Sequence, residues 1–246
     1  MSFRDIRGHE KQIGILQNAL ARNRTPHAYL FCGMRGIGKK AAALAVAKAM
    51  NCKRGSRDAC DACPSCLKID HRNHPDVVII EPEGQFIRIQ AVRDLQDQMK
   101  FRPFEGGTRV FILVDADKMN STAANALLKT LEEPNRNNLL ILISPRPYQL
   151  PMTILSRCQM LRFSPLSRET VFQYLRERLS IAPEAANHAS KTQSPMPRCL
   201  PSFMAFLYTS AELRLQGISI CGESRCKSRW SEGGEEGAAP HGYFAP

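Results

Sequence analysis

Two groups of residues in this 246-residue chain have the types and spacing to do chemistry. The first is the run Gly33, Met34, Arg35, Gly36, Ile37, Gly38, Lys39, with the pattern G-x-x-x-x-G-K. Its glycines let backbone amides turn toward a phosphate, the N-terminus of a following helix favours negative charge, and Lys39 can reach terminal phosphate oxygens. The competing reading is a tight strand-to-helix turn with a chance lysine. Binding and hydrolysis must be judged separately here, because the next residue is Lys40, where a Ser or Thr hydroxyl would ligate magnesium. An ammonium group cannot ligate a cation and repels one. The expectation is a loop that can take ATP or ADP without magnesium-dependent hydrolysis. Hydrolysis would also need an acid at the end of a buried strand, and Asp115 and Asp117 in VFILVDADKMN are the candidates.

The second group is Cys52, Cys60, Cys63 and Cys66, spaced C-x7-C-x-x-C-x-x-C. Thiolates at this spacing can reach one tetrahedral Zn(II), and four sulfurs close its shell, so the metal would be structural. A redox C-x-x-C pair, incidental reduced thiols and an iron-sulfur cluster are the alternatives. His71 and His74 lie close enough in the chain to replace a sulfur, with a solvent-facing role for each as the favoured alternative. Cys32, Cys199, Cys221 and Cys226 have no assignment.

The elements that must position these groups are legible as apolar runs. Residues 28–31 (AYLF) precede the glycine loop and the alanine-rich stretch 41–50 follows it, an order of strand, loop and helix. Further strands are expected at 77–80 (VVII), 110–114 (VFILV) and 139–143 (LLILI), with helices around 89–100 and 121–132. Continuous apolar strands alternating with helices imply an α/β fold, a parallel sheet with helices on both faces. Val171, Leu175 and Leu179 at four-residue spacing mark a further helical unit.

Composition excludes several classes. No apolar run approaches the roughly 20 residues that span a bilayer, and MSFRDIRGHE lacks the apolar core of a secretory signal, so no membrane is expected and the cytoplasm is the default compartment. The formal net charge is +11, nearly all of it in residues 1–189, which fits a polyanionic partner as well as an ordinary basic surface.

Several ordered segments together resemble the clamp-loader branch of the AAA+ family, and within it the bacterial DNA polymerase III subunits of delta prime type. They are RGHEKQIGILQNAL, RTPHAYLFCGMRGIGK, the cysteine group, NSTAANALLKTLEEP and LPMTILSRCQ, which covers an SRC triplet. The resemblance implies an AAA+ P-loop sheet with an inserted four-cysteine zinc module and a small helical lid. It sets VDAD, residues 114–117, against the family's D-E-A-D, which leaves Val114 in the place of the magnesium-shell acid. It likens Ser144 to a sensor of the terminal phosphate, with a plain strand-terminal serine as the alternative. Arg157 resembles an arginine finger, which acts in trans on a neighbouring subunit's ATP. The partners implied are the other loader subunits (gamma/tau and delta), the sliding clamp and, through the assembly, primer-template DNA.

The expected organisation is an AAA+ P-loop domain over 1–164 with the zinc module at about 51–67, a partial lid over 165–189, and an atypical, poorly ordered tail over 190–246. The C-terminal collar of the family is not recognisable. Truncation, a shifted reading frame or divergence would each explain that. The reading is a non-hydrolysing delta prime-like subunit. Its rivals are an ATP-hydrolysing gamma/tau-like subunit, which would need metal ligands at positions 40 and 114, and a zinc-stabilised nucleic-acid-binding module, which leaves the SRC triplet and AANALLKTLEEP without a role.

Overall fold

The computed structural model describes residues 1–55, 58–105, 107–135 and 137–179. Five strands, β1 (Ala28–Cys32), β2 (Val77–Ile80), β3 (Arg109–Leu113), β4 (Asn138–Ser144) and β5 (Gln159–Arg162), form one wholly parallel sheet in the order β2-β3-β4-β1-β5. The helices between them are α1 (Glu10–Ala21), α2 (Lys39–Asn51), α3 (Pro64–Asp70), α4 (Ile89–Met99), α5 (Ser121–Glu132), α6 (Met152–Leu155) and α7 (Arg168–Leu179).

Strand alternation divides the interior into two cores. Tyr29, Phe31, Val110, Ile112, Leu139, Ile141 and Ile143 point to one face and pack under α1 and α2. Ala28, Leu30, Phe111, Leu113, Leu140 and Leu142 point to the other and pack under α4, α5 and α6. Because β1, β3 and β4 are buried on both faces, every residue in them is enclosed, and apart from Arg109, Asn138 and Ser144 at strand ends they read as apolar runs. The alanines of α2 suit a strong helix former pressed closely onto the sheet: Ala42, Ala43, Ala45 and Ala47 are fully buried.

Four strands and the long helices stand where the apolar pattern puts them, with β3 shifted by one residue so that Val114 follows the strand. β5 escaped that pattern. It is an edge strand of sequence QMLR in which only Leu161 is buried, so no apolar run announces it. Helix α7 occupies the stretch where a lid was expected to begin. The rest of that stretch, the tail over 190–246 and the collar question lie outside the described residues.

Sheet order also fixes where ligands can approach. The chain leaves central β1 for edge strand β2, builds inward to β4, then crosses β1 to form β5, so the connections after β1 and β4 run to opposite sides. In open parallel sheets the crevice at the carboxyl ends of such strands is the usual binding place. The glycine loop follows β1, Asp115 follows β3, and Ser144 ends β4, paired in register with Cys32.

Candidate functional site

The glycine loop leads directly into α2. Gly38 caps the helix at φ 99°, a conformation costly for any other residue, and Gly33, at φ 144°, passes so close to the chain after β5 that a Cβ would lie 2.4 Å from the Phe163 carbonyl oxygen. Lys39 folds back into the loop, its ammonium donating to the carbonyls of Gly33 (2.7 Å) and Met34 (2.5 Å). Burial pulls its pKa down to about 8, against the opposing pull of Asp115. A phosphate entering the loop would replace those carbonyls as the partner of Lys39.

The acids around the loop are all engaged by basic side chains. Lys40 pairs with Glu81 at 2.5 Å, and the contact, led by that hydrogen bond, holds the Glu81 carboxyl below its usual range. Asp115, in the left-handed conformation at φ 51°, meets Arg35 at 3.0 Å and Lys118 at 3.3 Å. The Asp117 side chain is fully enclosed: it accepts from the Ser144 hydroxyl (3.0 Å) and from Arg146 through Nε (3.1 Å) and an Nη (2.9 Å). Val114 packs against the core. Ser144 thus lies at the same sheet edge as the loop, but its hydroxyl donates to Asp117 and accepts from the Arg146 amide.

Arg157 lies at the other end of the sheet. Gln159 pairs with Tyr29 and Arg162 with Cys32, so Arg157 sits before the beginning of β1, whereas Gly33 follows its end. At about 3.3 Å per residue the separation along the sheet is on the order of 15–20 Å, too far for Arg157 to serve the loop of its own chain. Arg157 bonds the Thr153 carbonyl (2.8 Å) and the Glu132 carboxylate (2.9 Å), both partners lying on the half-exposed surface or at helix ends. An exposed pair of this kind is worth at most about 1 kcal/mol, so its release costs little.

The four cysteines form a third locus beside α2 and α3. Their sulfurs all lie within 4.8 Å of one another, with Cys60 and Cys66 4.0 Å apart. A metal with about 2.3 Å bonds to four sulfurs in a tetrahedron needs edges of about 3.8 Å, so the group fits an ion with little adjustment. Cys63 caps α3, followed by Pro64 at its first position, and backbone amides donate to the sulfurs of Cys60 (3.3 Å) and Cys63 (3.5 Å). Burial alone would raise the Cys63 thiol, but amides of Cys66 and Lys53 outweigh it and bring it down to about 6. Burial, joined by the hydrogen bond to Cys63, pushes Cys66 up to about 12. The group can hold a metal ion.

Neither histidine completes this shell. His71 is exposed and outside the group, and both nitrogens of His74 are engaged, Nδ1 accepting from the Asp76 amide (3.1 Å) and Nε2 bonding Ser65 (2.8 Å). Sequence reasoning missed the charges that brace the module. Lys48, buried in α2, pairs with Asp61 and with Asp70 (2.7 Å), and Asp76 pairs with Arg109 at 3.3 Å with both side chains buried. A lysine in the middle of an alanine-rich helix, on its packed face, was the available signal for the first.

Comparison with known proteins gives these features a context. The fold is of the AAA+ P-loop type: the RuvB Holliday junction branch migration motor of Thermotoga maritima superposes with a TM-score of 0.53 at 14% identity, over 80% of this chain and 59% of that one. At that identity the likeness concerns the fold alone. The sequence profile of the family described as DNA polymerase III, delta subunit, matches residues 8–167, and the chain belongs to that family. Among curated relatives, DNA polymerase III subunit delta' of Bacillus subtilis is 38% identical over 172 residues, 70% of this chain and 52% of the relative. DNA polymerase III subunit tau of the same organism is 38% identical over 170 residues, 69% of this chain and 30% of the relative. The chain thus spans about half or less of the length of these relatives.

Proposed function

We propose that the chain is a non-hydrolysing, delta prime-like subunit of a cytoplasmic DNA polymerase III clamp loader. In this reading it supports ATP-dependent loading of the sliding clamp onto primer-template DNA, beside gamma/tau and delta subunits. Its domain over 1–164 offers Arg157 to a neighbour's ATP, its lid begins at 165, and Cys52, Cys60, Cys63 and Cys66 hold a structural zinc ion. Gly33, Gly36, Gly38 and Lys39 can still cradle phosphates of ATP or ADP, with Ser144 in the sensor-like place at the end of β4.

One observation carries the reading. Lys40 stands where a magnesium-ligating hydroxyl belongs and points its ammonium to Glu81, while Val114, partly buried against the core, stands where an acid would be needed. Loss of both ligands argues against self-hydrolysis, and the place of Arg157 at the far end of the sheet supports action in trans.

The gamma/tau-like reading has one observation in its favour, the equal identity to the tau relative. Steady-state turnover separates the two. The isolated chain should hydrolyse no ATP with magnesium, and Lys40→Thr alone should not restore turnover because Val114 still supplies no carboxylate. Hydrolysis by the unmodified chain that disappears in Lys39→Ala would establish the second reading instead.

A further inference from the structure

The loop between α4 and β3, residues 100–108, leaves Phe101 and Phe104 65% and 78% exposed. Its first residues bond back to α4, but those from Phe104 onward that are described are fastened to the cysteine module or to residues tied to it.

At its C-terminal end, Asn51 makes a two-way bond with Thr108: the Thr108 amide donates to Asn51 Oδ1 (3.1 Å) and Asn51 Nδ2 donates to the Thr108 carbonyl (2.9 Å). Gly107 lies so close that a Cβ there would stand 2.1 Å from Asn51 Oδ1. In the middle, Lys68 pairs with Glu105 at 2.5 Å. Also in the middle, the buried Asp76 carboxylate accepts from the amides of Phe104 and Glu105, each at 2.8 Å. Asp76 is itself tied to the module. Its amide donates to His74 Nδ1, so the proton of His74 is on Nε2, which donates to Ser65 Oγ at 2.8 Å.

Each module residue in these chains lies within two positions of a cysteine: Asn51 precedes Cys52, Ser65 precedes Cys66, and Lys68 follows Cys66 by two residues. A metal held by the cysteines fixes the backbone at those positions. We infer that the cysteine module is a metal-set clamp for the 101–108 loop, so that metal occupancy determines how firmly the loop and its exposed phenylalanines are held.

The inference rests on metal binding by the four cysteines, and metal content measured on the same samples keeps the two apart. Hydrogen exchange should be followed on the full chain with zinc bound, after zinc removal by a chelator, and in Asn51→Ala/Lys68→Ala, which keeps all four cysteines. Zinc removal should speed exchange of peptides spanning 101–108 by about tenfold or more while β4 peptides stay protected. The double variant should loosen the same loop with its zinc still in place, and it decides the matter if zinc removal also loosens β4. A chain that holds no zinc, a loop indifferent to zinc removal, or a zinc-loaded double variant with normal loop protection would each overturn the inference.

Discussion

At the scale of single residues, the spacing of the glycine loop and of the cysteines was legible because both depend on near neighbours in the chain. The partners were not. Lys40 meets Glu81, Asp117 meets Arg146, and Lys48 meets Asp70 only because parallel strands and helices bring distant positions together. Lys39 yields a pH prediction. Burial lowers its pKa to about 8, so below that value the free chain already carries the charge that an anion needs. Above it, binding must take up a proton, and ADP affinity should fall as the pH rises from about 8 to 9.5. Lys39→Arg, whose guanidinium stays charged throughout, should flatten the profile. Fluorescence titration with ADP at stepped pH reads the difference, and a flat profile for the unmodified chain would contradict the assignment of Lys39 as the anion's partner.

At the scale of elements, central strands announced themselves and the edge did not. Burial on both faces demands apolar residues along the middle of β1, β3 and β4, with polar Arg109, Asn138 and Ser144 only at strand ends, whereas β5 buries only Leu161. The start of α5 is set by Asn120, whose side chain accepts from the Ala123 amide at 2.7 Å. Asn120→Ala should cost about 1 kcal/mol, read as a lower urea midpoint with an unchanged slope. The cysteine module makes a larger contribution. Structural zinc supplies on the order of 10 kcal/mol of apparent binding energy in small modules. The purified, reduced chain should therefore carry about one zinc per molecule, and Cys60→Ser should lose metal and melt at a lower temperature. Normal folding of a metal-free chain would remove zinc from the account.

At the scale of the whole molecule, the loop edge and the Arg157 edge are opposite ends of one sheet. On the proposed reading, such a subunit would present its glycine loop to one neighbour and Arg157 to another. The reading from sequence reached Arg157 through the SRC triplet, but its distance from the glycine loop of its own chain follows only from the register of β1 against β5. On the proposed reading, an arginine kept in a chain without magnesium ligands would serve the ATP of another chain. The most direct test is single-turnover ATP hydrolysis in a loader reassembled with Arg157→Ala, with subunit association measured on the same preparation. Assembly should be nearly unchanged, since Arg157 makes only half-exposed contacts, while hydrolysis at the adjoining site should fall by roughly 10³-fold or more. Arg157→Lys should recover little of it, because an ammonium lacks the planar fork that spans two phosphate oxygens. Weakened assembly with normal hydrolysis at every site would contradict the account.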